Sequence, residues 1–106
     1  MKWLVVNVFN FQRTHEEEVV TCVESWGLEV LAADDNGEDY WIDFVGELLV
    51  DTKDNYEKIG ECIAHAVFAA NRTGCTVLCN VYPTDDINYG NCEYSFPFSE
   101  SNIVCN

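Results

Sequence analysis

The sequence predicts an α+β protein built around one antiparallel sheet, and three features of the chain indicate this class. An apolar run at residues 2–11 has hydrophobic side chains at odd and even positions, which is typical of a buried strand. Two stretches, 14–27 and 54–74, repeat apolar residues at helical spacing. An Asn36-Gly37 pair separates two further strand-like stretches, which is typical of a β-hairpin. A chain of 106 residues is long enough for one such domain.

The first strand leads directly into the first helix. Thr14 is a candidate N-cap, and Glu17 three residues later completes a capping box. Three apolar residues at helical spacing predict the buried stripe of this helix: Val19, Val23 and Trp26. Gly27 is predicted to end the helix, because glycine adopts positive φ without strain.

A hairpin is predicted after this helix. We expect its strands at about 28–34 and 38–45. A two-residue turn at Asn36-Gly37 joins them in this prediction, because both central positions of such a turn need positive φ.

The second helix is predicted over residues 54–74. Asp54 is its candidate N-cap, with Glu57 completing a second capping box. Gly60 is small enough to allow a close approach between this helix and the sheet. Its predicted buried stripe consists of Tyr56, Ile59, Ile63, Ala66, Val67 and Ala70.

A fourth strand is predicted at 75–83, followed by a turn-rich tail at 84–106. The order β-α-β-β-α-β over residues 1–83 is that of a ferredoxin-like sandwich, with an antiparallel sheet and two helices on one face. Right-handed crossovers place strands one and three in the middle. We expect a single domain over 1–106, with residues 84–106 adding a short C-terminal β extension.

Alternation along the strands assigns their residues to two faces. The face under the helices is expected to carry Leu4, Val6, Val8, Val30, Ile42, Phe44, Val77, Cys79 and Val81. The opposite face is expected to carry Trp3, Asn7, Phe9, Glu29, Asp39, Trp41, Asp43, Asn80 and Tyr82. Two alternatives follow for this second face. Either the tail aromatics Tyr94, Phe96 and Phe98 fold back over it, or it binds another protein through Trp41 or Trp3.

Negative charge dominates the chain. The formal net charge is −14, and residues 15–61 hold 15 of the 19 acidic residues. Direct binding to nucleic acid or to an anionic membrane is disfavoured, because both would repel the chain. A basic protein partner is the natural complement, and a solvated surface that maintains solubility is the alternative explanation.

The candidate partner-binding residues are the acids at the first helix start, the acids around the hairpin turn, and one tryptophan. Carboxylates two residues apart on one strand face lie roughly 7 Å apart, and such rows could imitate the charges of a phosphate backbone. Helix starts and turn tips also favour acids for local reasons. The candidates are Glu16, Glu17, Glu18, Asp34, Asp35, Glu38, Asp39, Trp41 and Asp43.

No pattern in the sequence indicates a catalytic or metal centre, so we expect a protein that is not an enzyme and has no cofactor. Cys62 and His65 are one helical turn apart, but no oxyanion-hole motif accompanies them. The apolar start is short, is broken by Asn7 and lacks a small-residue cleavage site. We therefore expect a cytoplasmic protein with free thiols.

In composition and plan, the whole chain resembles the small acidic inhibitors that phages encode against host defences, including anti-CRISPR proteins and anti-restriction nucleic-acid mimics. The shared features are small size, strong acidity, a compact α+β plan and the lack of catalytic motifs. The resemblance implies a non-enzymatic inhibitor acting in the host cytoplasm. Its partner would be a basic nucleic-acid-binding protein or complex, such as a CRISPR effector or a nuclease. The inhibitor would block a positively charged groove or the recruitment of a nuclease.

Other functions remain open at this point. An immunity protein or antitoxin that neutralises a nuclease toxin would use the same physics. A small ligand-binding domain or enzyme could use the second sheet face or the Cys62 and His65 pair. Adaptation to high salt would also replace lysines with acids. The protein is expected to be a monomer, or a homodimer formed through an edge strand.

Overall fold

The computed structural model describes residues 2–10, 13–35, 40–48, 52–71, 75–83, 87, 90 and 92–99. A short 3-10 turn at Arg13–His15 precedes the first helix. The helices and strands are β1 (Lys2–Phe9), α1 (Glu16–Glu24), β2 (Glu29–Asp35), β3 (Tyr40–Leu48), α2 (Lys53–Asn71), β4 (Thr76–Tyr82) and β5 (Tyr94–Ser99).

The strands form one sheet in the order β2-β3-β1-β4-β5, and every neighbouring pair is antiparallel. The predicted α+β class is therefore confirmed, with β1 and β3 inside the sheet. The first four strands follow the ferredoxin-like order. The fifth strand, β5, pairs with β4 and extends the sheet beyond the four strands of that fold.

A single hydrophobic core joins both helices to one face of the sheet. Eight of the nine residues predicted to lie under the helices are buried, and Val30 is the exception, with 44% of its surface exposed. Val30 pairs with Phe44 on the helix side, but it lies on the edge strand β2, where the core ends. The helix residues in this core include Val19, Val23, Tyr56, Ile63, Ala64, Val67 and Phe68.

The start of α1 differs from the prediction. Thr14 lies in the 3-10 turn, and the N-cap of α1 is His15, which makes no side-chain capping hydrogen bond. At the other end, Gly27 has φ +88°, as expected for a terminating glycine. Trp26 lies beyond the last helical residue, Glu24, and 41% of its surface is exposed. Trp26 therefore does not belong to the buried stripe of this helix.

The start of α2 is also shifted. The backbone N–H of Asn55 donates to Thr52 Oγ1 at 3.2 Å, so Thr52 is the capping residue rather than Asp54. The predicted close approach at Gly60 is confirmed. A Cβ atom there would lie 3.1 Å from Cys79 Sγ and 3.1 Å from Phe98 Cε2.

The β2–β3 hairpin has an irregular register. Val30 pairs with Phe44, but the next pair is Ala32 with Asp43, so Leu31 is an extra residue in a β-bulge. The last described pair is Asp35 with Tyr40, whereas a two-residue turn at Asn36-Gly37 would pair Asp35 with Glu38. The described register therefore does not fit that turn, whose residues lie outside the described ranges.

The tail aromatics do not cover the second sheet face. In β5, Tyr94, Phe96 and Phe98 pair with Val81, Cys79 and Val77, which face the helices. Paired residues share a face, so these aromatics extend the core instead. Phe96 is buried, and Tyr94 and Phe98 pack against the core. The alternative in which they fold back over the opposite face is wrong.

Candidate protein-binding face

The candidate site is the sheet face opposite the helices, which we call the open face. Cross-strand pairing assigns residues to it, because directly opposed side chains lie on the same side of a sheet. The predicted members within the described ranges lie here, and Asp39 is outside those ranges. The outward residues of the three inner strands are Trp3, Val5, Asn7, Phe9, Trp41, Asp43, Val45, Glu47, Thr76, Leu78, Asn80 and Tyr82.

A row of polar side chains crosses four strands in the middle of this face. Asn7 Nδ2 donates to Asp43 Oδ1 at 2.5 Å, and Asn80 Nδ2 donates to Asn7 Oδ1 at 3.0 Å. Ser95 Oγ donates to Asn80 Oδ1 at 2.7 Å. We call Asp43, Asn7, Asn80 and Ser95 the polar row. Ser95, Asn80 and Asn7 each donate a hydrogen bond to the next residue of the polar row, and this series of hydrogen bonds ends at the Asp43 carboxylate.

This arrangement orients the carboxylate of Asp43. Hydrogen bonds in a chain polarise one another, so the Asn7 amide is a better donor when Asn80 donates to its oxygen. The row binds one oxygen of Asp43, which leaves acceptor capacity on the carboxylate for a partner group.

The surroundings of Asp43 are partly apolar. Trp41 and Val45 are its neighbours along β3 on the same face, and all three side chains are half-buried. Burial raises the pKa of Asp43, and the hydrogen bond from Asn7 lowers it by less. The charged carboxylate is therefore under-solvated, which favours contact with a cation.

Aromatic side chains stand at both ends of the open face. Phe9 pairs with Trp41 at one end, and Trp3 pairs with Tyr82 at the other. Trp3 and Phe9 lie on the same strand at positions roughly 20 Å apart. Trp3, Phe9 and Trp41 are half-buried and provide apolar contact area on both sides of the polar row, whereas Tyr82 is buried. Such an arrangement is typical of protein interfaces.

Basic residues are missing from the outward strand positions that the structure describes. Lys2 lies on the helix side, where its Nζ donates to Glu93 Oε2 at 2.6 Å. This hydrogen bond raises the pKa of Lys2. Lys2 Nζ and Lys53 Nζ also lie 5.4 and 5.9 Å from the ring centroid of Tyr94. The positive charges of these two lysines therefore lie on the helix side of the molecule, and they do not neutralise the acids of the open face.

The predicted binding residues do not all share one face. Trp41 and Asp43 lie on the open face, and Asp34 pairs directly with Trp41 at the end of β2, followed by Asp35. The first turn of α1 holds Glu16, Glu17 and Glu18 on the helix side. Because α1 follows the end of β1, these acids lie near the same end of the sheet as Trp41 but behind it. Glu38 and Asp39 lie outside the described ranges.

Sequence reasoning placed Asn7 and Asn80 on this face but did not connect them. It also missed Ser95 and Glu47. The available signal was one amide in the middle of each apolar strand, in LVVNVF and VLCNVY. Facing amides on adjacent central strands indicate a hydrogen-bonded pair, because an unpaired polar group there is costly.

The remaining reactive side chains in the described part of the chain are its cysteines and histidines. The five cysteines described there are not in disulfides, and burial raises the pKa of Cys79 to about 12 and also raises that of Cys22. Such thiols stay protonated and are poor nucleophiles. His65 Nε2 lies 3.7 Å from Glu61 Oε1. The described His, Cys, Asp and Glu residues include no group of three or more able to hold a metal ion.

Neither described helix is both long enough and apolar enough to cross a membrane.

No protein-family model, curated protein or solved structure matches the chain. Functional inference therefore rests on its own residues.

Proposed function

We propose that the protein is a non-enzymatic acidic binding protein that docks its open face on a basic nucleic-acid-binding protein and inhibits it. One observation carries the proposal. The described open face combines oriented and under-solvated acid with aromatic contact area, and it carries no basic residue.

Asp43 and Trp41 are the proposed centre of the contact. An arginine or lysine of the partner would pair with the carboxylate and lie against the indole ring. Asn7 holds the carboxylate ready for this contact, which lowers the ordering cost on binding. Glu29 and Glu47 add negative charge on the same face, and such charge mainly speeds association.

Nucleic acid is not the proposed ligand, although aromatic sheet faces bind RNA in other proteins of this general plan. Stacked bases bring phosphates with them, and a face whose described residues include Asp43 and Glu47 but no Lys or Arg would repel these phosphates. The same negative potential would attract the groove of a protein that itself binds phosphates. The resemblance to anti-CRISPR-type inhibitors makes a CRISPR effector or a nuclease, in a host cytoplasm, the proposed partner.

The test is capture followed by an activity assay. The tagged protein is immobilised and exposed to nuclease-treated lysates of several bacteria, including CRISPR-bearing ones. Retained proteins are eluted with increasing salt, identified by mass spectrometry and purified. We expect a basic nucleic-acid-binding protein that moderate salt releases and whose activity falls when this protein is added. A retained partner that is neutral or acidic, or whose activity is unchanged, would contradict the proposal. A toxin nuclease as the retained partner would identify an immunity protein instead.

A further inference from the structure

A second surface lies away from the open face, at the free edge of the sheet. Three large apolar side chains in the described chain are strongly exposed, and all three fall within residues 26–31. Trp26 is 41% exposed, Val30 44% and Leu31 53%. Single exposed apolar residues are ordinary, but three large ones within six consecutive residues at one sheet edge are a candidate contact surface. We call these three residues the edge patch.

Two residues of the edge patch, Val30 and Leu31, belong to an edge strand of the sheet, and Trp26 lies just before it. β2 is the first strand in the sheet order and pairs only with β3 among the described strands. No other described strand uses the second row of the β2 backbone N–H and C=O groups, and such a row can pair with another chain. Exposed backbone gives affinity in such an addition, and neighbouring side chains give specificity.

The edge patch is held in place by a rigid turn. The N–H groups of Trp26 and Gly27 donate to the carbonyls of Val23 and Glu24, both at 3.0 Å. Leu28 is buried against Gly46 of β3, where a Cβ atom would lie 3.0 Å from Leu28 Cγ. Trp26 and Val30 thus flank an anchored residue, and a partner need not order them on binding.

Charge decides between the possible occupants of this edge. Glu24 and Glu29 are exposed beside the edge patch, and β2 ends in Asp34 and Asp35 without any basic residue. A second copy paired along β2 would bring these acids together between two chains of charge −14. This repulsion favours a basic occupant over a second copy.

We propose that the β2 edge binds an extended segment of a basic partner, with alternating apolar and Lys or Arg residues, as an additional strand. Its apolar side chains contact the edge patch, and its cations face the acids of β2. This inference goes beyond the open face and does not depend on Asp43 or Trp41, because the edge patch consists of different residues; only Glu29 adds charge to both surfaces.

The test uses short synthetic peptides and backbone amide NMR. The probe alternates Lys and Val, and its matched control alternates Glu and Val at the same length. We expect the Lys-Val peptide to shift the amide signals of residues 29–35 and to slow their hydrogen exchange, while the Glu-Val peptide does neither. Leu31→Lys adds like charge and removes apolar area, so it should weaken Lys-Val binding by roughly tenfold. Glu57→Gln, on the exposed side of α2, makes the same charge change of about one unit and should leave the binding within about twofold.

Three results would overturn the inference. The first is Lys-Val binding that shifts open-face amides and leaves β2 unchanged. The second is equal binding of the two peptides. The third is a concentration-dependent dimer, seen by light scattering, that Leu31→Lys abolishes, because the occupant would then be a second copy. A failure here leaves capture by the open face untouched, so the two proposals fail separately.

Discussion

Asp43 is held by its neighbours in a way that affects the stability of its charged form. Asn7 donates to it, and the amide of Asn7 is itself fixed by Asn80. Burial among half-buried side chains raises the pKa of Asp43, and the Asn7 hydrogen bond opposes that shift. At the residue scale, the protein thus keeps a charge where it is only partly solvated, as binding sites often do.

Asn7→Ala should raise the pKa of Asp43 further, because it removes the hydrogen bond that favours the charged carboxylate. It should also cost about 1 kcal/mol of unfolding free energy. An NMR titration of the Asp43 carboxyl carbon measures the first effect. Ser95→Ala, at the far end of the polar row, is the control and should move this pKa much less. An unchanged or lowered pKa in Asn7→Ala would be evidence against the polar row.

Asp43→Asn should increase the unfolding free energy at pH 7 slightly, because it removes a part-buried charge whose cost solvent screening keeps small. Because the folded pKa is raised above 3.8, the folded protein binds more protons than the unfolded chain just above pH 3.8. The contribution of Asp43 to the unfolding free energy therefore falls as the pH rises through its folded pKa. Asn does not titrate, so the unfolding free energy of Asp43→Asn lacks this decrease. Urea denaturation of both proteins at several pH values measures the difference. A variant that is clearly less stable at pH 7 would contradict this account of Asp43.

At the scale of elements, the connection between α1 and β2 packs tightly against β3. Gly46 leaves room for Leu28 and for the carbonyl oxygen of Gly27. A Cβ atom at Gly46 would lie 3.1 Å from that oxygen and 3.3 Å from Leu28 Cα, so backbone would have to move.

Gly46→Ala should therefore lower the unfolding free energy by about 2 kcal/mol. Gly60→Ala is the matched comparison. There the new Cβ meets only side-chain atoms of Cys79 and Phe98, and alanine favours the helix over glycine by about 1 kcal/mol. Chemical denaturation should rank Gly46→Ala as the more destabilising change. The opposite ranking would mean that the α1–β2 connection is more adaptable than its contacts indicate.

Much of the element order could be predicted from the sequence because it depends on local patterns. The doubly apolar β1 lies in the middle of the sheet, and alternation placed Trp41 and Asp43 on the open face correctly. β5 was harder, because Tyr94, Phe96 and Phe98 share a face in any strand, and only the sheet edge that accepts them determines which face that is. The bulge at Leu31 has no local signature, since it depends on how β2 pairs with β3.

For the whole molecule, the distribution of charge matters more than its sum. Lys2 and Lys53 both lie near the ring of Tyr94 on the helix side, while the charged residues described on the open face are all acidic. Repulsion among its own charges destabilises the compact state of a chain with net charge −14. The negative charge of the open face is not offset locally, so it would attract a basic partner to that side.

Salt should stabilise the fold modestly. Raising NaCl from about 10 mM to about 0.5 M shortens the Debye length and should raise the unfolding free energy on the order of 1 kcal/mol. The protein is expected to be folded at the lower concentration. Thermal unfolding followed by circular dichroism measures both points. Folding that appears only near 1 M salt would instead support adaptation to a saline cytoplasm.

The central claim is that the open face, through Asp43, contacts a basic partner. The most direct measurement compares the affinity of the captured partner for the wild-type protein, Asp43→Asn and Glu57→Gln by calorimetry. The two variants have equal net charge, and Glu57 is an exposed acid of α2, away from the open face. We predict that Asp43→Asn weakens binding by about tenfold or more, while Glu57→Gln stays within about twofold. Equal losses in both variants, or wild-type affinity in Asp43→Asn, would show that the open face is not the binding surface.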